Sequence, residues 1–327
     1  MQHLKLRTGK ALAIDNYFIL ILSCIVFIIS MYLSPFYYAG DQASYTELYN
    51  SVIGKNLYDA YLLQIKLLSS YEPLYLIIAW IFAPLVDKYI FDSLLNFFLC
   101  YSFASVFLKY RAGRVFIMVF LLANFYILVM YFAADRLKLS FIFYIYCLGS
   151  FHDKKYSRSS VLLVLSVLSH LQILLFLLST VSVLIAKNMQ KIAVRFTINI
   201  KEALLITSIG ILFAVSLILF REHISNKLGF YLSNNIEEII KPSVFMMLSF
   251  FAPVRSFYIF FAFLPLIIAA FVVSGDRVVM MAYFVFLYYS VGVQGWPKLL
   301  VWVTLLYFVY KGYFFVFNFI KYGNAFL

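Results

Sequence analysis

Long apolar blocks separated by short basic clusters dominate this chain of 327 residues. Each block runs for about 15 to 22 residues, which is the length that an α-helix needs to cross the apolar core of a bilayer. Hydrophobic residues make up 65% of the sequence and charged residues only 12%, too few charges to cover a water-soluble domain of this size. The blocks lack the period-2 alternation that a membrane-spanning strand needs. The sequence therefore predicts an all-α, polytopic integral membrane protein.

The blocks predict about nine to eleven transmembrane helices, of which one or two are short and either re-entrant or broken. They lie at about 17–33, 73–86, 89–108, 115–133, 137–151, 161–186, 203–220, 253–273, 278–291 and 299–320. We expect all of them to belong to one integral membrane domain over 1–327, with external loops at about 35–71 and 221–252.

The distribution of positive charge sets the expected orientation. The formal net charge is +12, and basic residues concentrate between the blocks, where the positive-inside rule places them in the cytoplasm together with both termini. If 73–86 crosses the membrane fully, the basic cluster at 109–114 faces outside. If 73–86 is re-entrant, every basic cluster falls inside, and we favour this arrangement because about 14 residues are short for a crossing. Block 161–186 has basic residues at both ends, which predicts a break near Ser169 and His170.

Ionisable side chains at the edges of the blocks are the candidates for chemistry, because an unpaired charge at such a place is costly. The favoured topology gathers acids and bases at the external face, and His170 reaches the same depth if its hairpin rises through most of the bilayer. The residues at that face are Asp41, Glu72, Asp135, Arg136, Lys138, Arg255 and Lys298. Such a cluster suits chemistry on an anionic lipid head group.

Purely structural explanations exist for several of these residues. Glu72 precedes a proline and fits the start of a helix, where the helix dipole favours an acid. Asp41 follows a glycine and fits a turn. Asp92 has a helical partner in Lys88, four residues earlier. No metal or nucleotide site is expected, because the sequence has no HxxxH, no paired cysteines, no DxD and no phosphate-binding loop.

Four segments follow one another in the first half of the chain. A Gly-Asp followed by tyrosines occurs in "AGDQASYTELY", and a Glu heads an apolar run in "YEPLYLII". An Arg then opens a block that ends in a basic pair, "DRLKLSFIFYIYCLGSFHDKK", and a His lies in the next apolar segment, "LSVLSHLQILLFL". This order resembles the EpsG/Wzy family of bacterial, O-antigen-type polysaccharide polymerases. The resemblance covers about residues 15–190 and extends further only in hydropathy.

The resemblance implies a GT-C-like membrane glycosyltransferase that works without a metal or other cofactor. Such an enzyme polymerises undecaprenyl-pyrophosphate-linked oligosaccharide repeat units into O-antigen, capsule or exopolysaccharide, on the outer face of the bacterial inner membrane. Its partners are the lipid-linked glycans, membrane lipid, and a chain-length regulator and flippase of the same pathway, with no nucleic acid.

On this resemblance, the expected roles divide between proton transfer and phosphate binding. The candidate catalytic residues are Glu72 as first choice of general base, Asp41 as second choice, and His170 as alternative base or acceptor-orienting group. The candidate pyrophosphate ligands are Arg136 with Lys138, Arg255 or Lys298. A carboxylate would take the proton from the attacking hydroxyl, and the cations would stabilise charge on the leaving group.

Two other function classes remain open at this point. A flippase or transporter of lipid-linked sugars would also want external and buried charges, but the sequence shows no two-fold repeat of broken helices. A membrane O-acyltransferase of surface glycans would want a His in a polar setting near the first span. The only N-terminal candidate for that role is His3, in the predicted cytoplasmic tail.

Overall fold

Helices make up most of the protein in the computed structural model, which describes residues 9–110, 112–195, 200–219, 237–252, 254–272 and 276–326. Over these ranges there are helices and no strands, so the predicted all-α class is confirmed. The α-helices, numbered α1 to α15 in chain order, are Gly9–Leu33, Asp41–Ser51, Leu57–Leu68, Pro73–Phe82, Lys88–Lys109, Arg114–Ala123, Phe125–Phe132, Asp135–His152, Tyr156–Ser169, Leu174–Arg195, Ile200–Leu219, Glu237–Ser249, Ser256–Val272, Asp276–Ser290 and Pro297–Tyr322.

Several of these helices have the length and composition of membrane spans. Four qualify singly, namely 14–36, 88–109, 171–193 and 297–322. Two bent pairs, α3 with α4 and α6 with α7, raise the number to six if each pair is one span. Four shorter apolar helices of 10–17 residues accompany them. A polytopic membrane protein is therefore confirmed, and the larger number of crossings stays a prediction.

The chain divides into two compact units. The first comprises residues 1–68, 72–170 and 304–327, and the second comprises 69–71 and 171–303. The two units are described separately, and the single integral domain expected from the sequence stays a prediction. In the second unit α10 packs against α13 and α11, and α12 packs against α13 and α14. There the hydroxyl of Tyr258 on α13 donates a hydrogen bond to Gln190 on α10.

Helices α1 and α5 of the first unit run antiparallel. Near the end of α1, Ser30 Oγ accepts a hydrogen bond of 3.0 Å from Asn96 Nδ2, early in α5. Near the start of α1, Asp15 pairs at 2.9 Å with Arg114, which lies just after α5. We call the end with Leu33 and Lys88 the upper end of this unit, and the end with Asp15 and Lys109 the lower end.

The segment between α1 and α5 returns to the end from which it leaves. It starts after α1 and finishes before α5, both at the upper end, and α3 and α4 within it are bent by 117°. This course agrees with the re-entrant arrangement favoured from the sequence for 73–86, which stays a prediction. The expected external loop 35–71 contains helices α2 and α3. The second expected loop, 221–252, lies outside the described residues up to 236 and then forms α12.

A ladder of small polar side chains joins α8 and α9. Ser159 Oγ donates to the carbonyl of Cys147 at 3.1 Å, and Ser166 Oγ donates to the carbonyl of Ser140 at 2.8 Å. Each step forward along α9 thus matches a step backward along α8, and small residues let the two helices approach closely. The same register brings His170, the residue after α9, opposite Arg136 at the start of α8.

Two predicted blocks are broken, one as expected and one not. Block 161–186 breaks at His170, whose extended backbone (φ −163°, ψ 123°) ends α9, as the sequence predicted. Within block 115–133 no break was predicted, but α6 and α7 are separate helices bent by 50°. Asn124 causes this break. Its side chain accepts a hydrogen bond of 3.1 Å from the backbone N–H of Tyr126 and so starts a new helix.

The break at Asn124 creates a close contact that only glycine permits. A Cβ at Gly312 in α15 would lie 2.3 Å from the carbonyl oxygen of Ala123. We expect Gly312→Ala to lower the melting temperature of the detergent-solubilised protein by several degrees, since overpacking costs about 1–3 kcal/mol.

The matched control for this prediction is Gly149→Ala in α8, where a Cβ would meet nothing within 4 Å. Alanine is the better helix former, so this variant should be neutral or slightly stabilising. Equal melting temperatures for the two variants would contradict the close approach of α15 to the break.

Candidate active site

Glu72 is fully buried at the head of α4 and does not cap the helix. Its backbone is extended (φ −72°, ψ 118°), and its side chain makes no capping hydrogen bond. Its Oε2 instead accepts a hydrogen bond of 2.7 Å from Arg136 Nη1, and its Oε1 lies 3.1 Å from His170 Nδ1. The helix-dipole explanation considered for Glu72 is therefore insufficient, because both carboxylate oxygens are engaged by side chains distant in sequence.

Arg136 lies in the first turn of α8 and contacts Tyr45 of α2 as well as Glu72. Its Nε donates a hydrogen bond of 3.1 Å to the hydroxyl of Tyr45, whose ring packs edge-on against Tyr75 at 5.5 Å. Only 7% of the Arg136 side chain is exposed. Among the described residues the remaining guanidinium nitrogen, Nη2, makes no hydrogen bond. The arginine is thus fixed by two partners and retains donor capacity.

A second group of charges surrounds Asp135, directly before Arg136. Its Oδ2 accepts a hydrogen bond of 2.7 Å from Lys88 Nζ and a longer one of 3.4 Å from the hydroxyl of Tyr75. Its Oδ1 accepts a hydrogen bond of 3.2 Å from the side-chain amide of Gln42 and lies 3.3 Å from Lys138 Nζ. This carboxylate therefore ties the start of α8 to α2, α4 and α5.

Lys88 and Lys138 differ in the number of hydrogen bonds that their ammonium groups make within this second group of charges. Lys88 bridges two carboxylates, those of Asp135 and Asp92. Lys138 is fully buried, and its ammonium makes no hydrogen bond within the described part of the chain, although it lies close to Asp135. A buried ammonium that makes an ion pair but no hydrogen bond is costly. Lys138 therefore has three N–H donors that a phosphate group would satisfy.

These two groups form the buried charge cluster, a name used below for Glu72, Lys88, Asp92, Asp135, Arg136, Lys138 and His170. With a neutral histidine, three acids balance three bases. Deleting one member of such a buried set costs about 3–5 kcal/mol, because its partner stays behind as an uncompensated charge. Lys88 and Asp92 lie in the first two turns of α5, which begins at the upper end, and Lys88 pairs with Asp135 at the start of α8, so the cluster lies at the upper end.

The contact with Glu72 fixes the tautomer of His170. A carboxylate accepts hydrogen bonds, so Nδ1 of the imidazole carries the proton that points at Oε1. The lone pair of the neutral ring then resides on Nε2. A carboxylate that orients an imidazole in this way prepares it to act as a general base.

The structure brings together some of the expected site residues and separates others. Glu72, Arg136, Lys138 and His170 lie in the buried charge cluster. Asp41 is exposed at the first position of α2, close enough to raise the pKa of the buried Tyr37, after the larger effect of burial itself. Arg255 and Lys298 are exposed residues of the second unit.

Sequence reasoning missed several members of the site. Lys88 and Asp92 were explained as a helical pair, and the expected pairing is present, yet Lys88 also binds Asp135. Gln42, Tyr45 and Tyr75 carry no charge and were not candidates. Gln42 and Tyr45 could have been found from their position, because they lie in the same tyrosine-rich segment as Asp41.

No family model, curated protein or solved structure matches the chain. Within the described ranges, no three His, Cys, Asp or Glu side chains come together as a metal site would need. The proposals that follow therefore rest on the geometry of the buried charge cluster and on the resemblance in the sequence.

Proposed function

We propose that this chain is a membrane glycosyltransferase that polymerises lipid-pyrophosphate-linked oligosaccharide repeat units into surface polysaccharide, as the EpsG/Wzy resemblance suggests. The observation that supports it best is the contact of Glu72 with both Arg136 and His170 at one end of a helical bundle. A general base and phosphate-binding cations are the groups that this reaction needs, and here they are buried together.

The geometry favours His170 as the general base and Glu72 as the residue that orients it. Both carboxylate oxygens of Glu72 already accept hydrogen bonds, from Arg136 and His170, whereas the imidazole of His170 has a second ring nitrogen, Nε2. The order expected from the sequence, with Glu72 first, is revised accordingly. The remaining candidate, Asp41, is exposed and better suited to positioning the acceptor.

Arg136 and Lys138 are suited to bind the phosphate oxygens of the leaving group. The free donor capacity of Arg136 lies at Nη2, and that of Lys138 at its ammonium group. Charge-assisted hydrogen bonds from a guanidinium and an ammonium stabilise phosphate oxygens as negative charge develops on them. Reaching Lys138 requires the site to open, because this side chain is fully buried in the present structure.

The reaction balances without a metal or a nucleotide. The acceptor hydroxyl forms a bond from its oxygen to the anomeric carbon of the donor glycan and passes its proton to Nε2 of His170. The bond from the anomeric carbon to the phosphate oxygen breaks, and its electron pair leaves with the lipid pyrophosphate. Breaking this anhydride-like glycosyl phosphate supplies the driving force.

The expected location is the bacterial inner membrane, with the upper end of the first unit facing outside. The lower end carries the pairs of Lys109 with Asp153 and of Arg114 with Asp15, beside the basic clusters expected in the cytoplasm. The upper end carries the charge-balanced buried cluster. This orientation places the chemistry where a lipid tail lies in the membrane and its sugar in water.

The proposal predicts activity from the purified protein alone. In lipid nanodiscs with undecaprenyl-pyrophosphate-linked repeat units, isolated from the cells that carry the gene, we expect a ladder of glycan lengths on a gel. The ladder should form in the presence of EDTA. Single repeat units that remain unchanged, in a preparation that still binds the lipid, would overturn the proposal.

The same preparation distinguishes the rival membrane functions. Reconstituted in vesicles, a flippase would move the lipid-linked repeat unit to the opposite leaflet without lengthening it. An O-acyltransferase would require an acyl donor and would add mass to the repeat unit without joining two of them.

A further inference from the structure

A small polar cavity opens beside the buried charge cluster, at the upper end of the first unit. Its volume is about 270 Å³ including the open mouth, and its enclosed part is the size of one water molecule or hydroxyl group. The residues that line it come from three helices, α2, α5 and α7, and from the turn after α1: Ser34, Tyr37, Gln42, Thr46, Tyr89, Asp92, Tyr131 and Phe132. Aromatic rings and hydrogen-bonding groups thus line the same opening.

Asp92 presents a buried carboxylate oxygen to this cavity. One of its oxygens pairs with Lys88, whereas Oδ1 is buried and makes no hydrogen bond to any described residue. Gln42, on the facing helix α2, uses its amide N–H on Asp135, which leaves its carbonyl oxygen as an acceptor. A buried acceptor without a donor costs about 1–3 kcal/mol. The cavity therefore calls for an occupant that donates hydrogen bonds.

The charges around the cavity balance one another, which favours an uncharged occupant. Asp92 and Asp135 are offset by Lys88 and Lys138, so there is no net negative charge to hold a cation. Burial and the neighbouring carboxylates of Asp41 and Asp135 raise the pKa of Tyr37, so its phenol stays protonated and neutral. An anion is disfavoured by the free carboxylate oxygen. A hydroxyl group, held against aromatic rings, meets all of these conditions.

We infer that this cavity is a sugar subsite, in which Asp92 and Gln42 accept hydrogen bonds from a hydroxyl of the lipid-linked glycan. The ring that bears this hydroxyl lies at the mouth, where the tyrosines offer apolar faces. The inference rests on the proposed function and adds to it a specificity-determining pair, because Asp92 and Gln42 lie outside the base and phosphate roles. Tyr45, three residues beyond Gln42 on α2, touches Arg136, so the subsite adjoins the reacting groups.

The test compares binding of two lipids that differ only in their sugar. The probes are undecaprenyl pyrophosphate and the undecaprenyl-pyrophosphate-linked repeat unit, and the dissociation constant of each is measured for the purified full chain in nanodiscs. We expect the wild type to bind the sugar-bearing lipid about tenfold more tightly, as one or two hydrogen bonds allow.

Thr46→Met narrows the cavity without touching the ion pairs and should remove that tenfold difference while leaving the affinity for bare undecaprenyl pyrophosphate unchanged. Thr46→Ser keeps the space and is the matched control, with the difference retained. Ser34→Val narrows the cavity from the other wall and replaces Thr46→Met if that variant folds poorly.

Equal affinities of the wild type for both lipids, or a difference that survives both narrowing variants, would mean that the cavity holds only water, and would overturn the subsite. Failure of the wild type to bind either lipid would overturn the proposed function instead. The two failures are therefore distinguishable in one experiment.

Discussion

Arg136→Lys is expected to lower the rate of glycan polymerisation by about 10² to 10³, the range found when one transition-state donor is lost. The guanidinium donates through Nε to Tyr45 and through Nη1 to Glu72, and its Nη2 makes no hydrogen bond to a described residue. A lysine has a single nitrogen, which cannot satisfy these separated acceptors and a phosphate oxygen together. The measurement is the single-turnover rate on the lipid-linked repeat unit, with protein yield and melting temperature recorded beside it.

The matched control for this substitution is Arg114→Lys. Arg114 also pairs with one carboxylate, that of Asp15 at 2.9 Å, but it lies at the lower end, and 48% of its side chain is exposed. Lysine keeps the positive charge beside Asp15, and this pair lies far from the buried charge cluster, so this variant should polymerise at the normal rate. If Arg136→Lys also polymerises normally, Arg136 is structural, and the phosphate contact belongs to Lys138 or to the cations of the second unit, Arg255 and Lys298.

Much of the fold follows from hydropathy, because the bilayer restricts a spanning chain to helices. The blocks at 89–108 and 299–320 become α5 and α15 with ends shifted by one or two residues. The break inside 115–133 was not foreseen, because one Asn in an apolar run scarcely changes its hydropathy. Its effect depends on a hydrogen bond to the backbone N–H of Tyr126, which hydropathy does not register.

The ionisable residues of the site could be predicted from the sequence, because burying a charge is costly. The uncharged residues could not, because burying them costs little. Glu72, Arg136 and His170 stood out because each is ionisable and adjoins an apolar run, and in the structure they contact one another. Their pairing could not be derived from spacing, since it depends on the register of α9 along α8. Gln42 was missed because an amide near a block edge carries little energetic penalty and hence little signal.

Glu72→Gln is expected to lower the polymerisation rate per folded molecule by about 10³ to 10⁴, with the amount of folded protein measured beside it because the lost charge also lowers stability. Arg136 Nη1 donates and needs an acceptor, so the single amide oxygen of the glutamine turns toward it. The amide NH₂ then faces His170 Nδ1, which must accept instead of donate. The ring proton moves to Nε2, and the lone pair that would take the acceptor proton is lost. A wrong tautomer of this kind in a His–carboxylate pair costs about 10⁴ in rate.

His170→Ala removes the base itself and should lower the polymerisation rate by a factor of about 10² to 10⁴. The decisive variant is the double substitution Glu72→Gln with His170→Ala. Residues that act as a unit are strongly non-additive, so the double variant should be no slower than His170→Ala alone. Asp41→Asn, at an exposed position, is the control and should stay within a few-fold of the wild type.

Rate losses that multiply in the double variant would show that Glu72 and His170 act independently and would return the base role to Glu72. Normal polymerisation by Glu72→Gln, together with a complete loss in Asp41→Asn, would move the base role to Asp41. A single common loss for Glu72→Gln, His170→Ala and the double variant is the result that the orienting contact predicts. It would explain why a carboxylate occurs at the head of an apolar helix without capping it. The carboxylate holds an imidazole and a guanidinium in place.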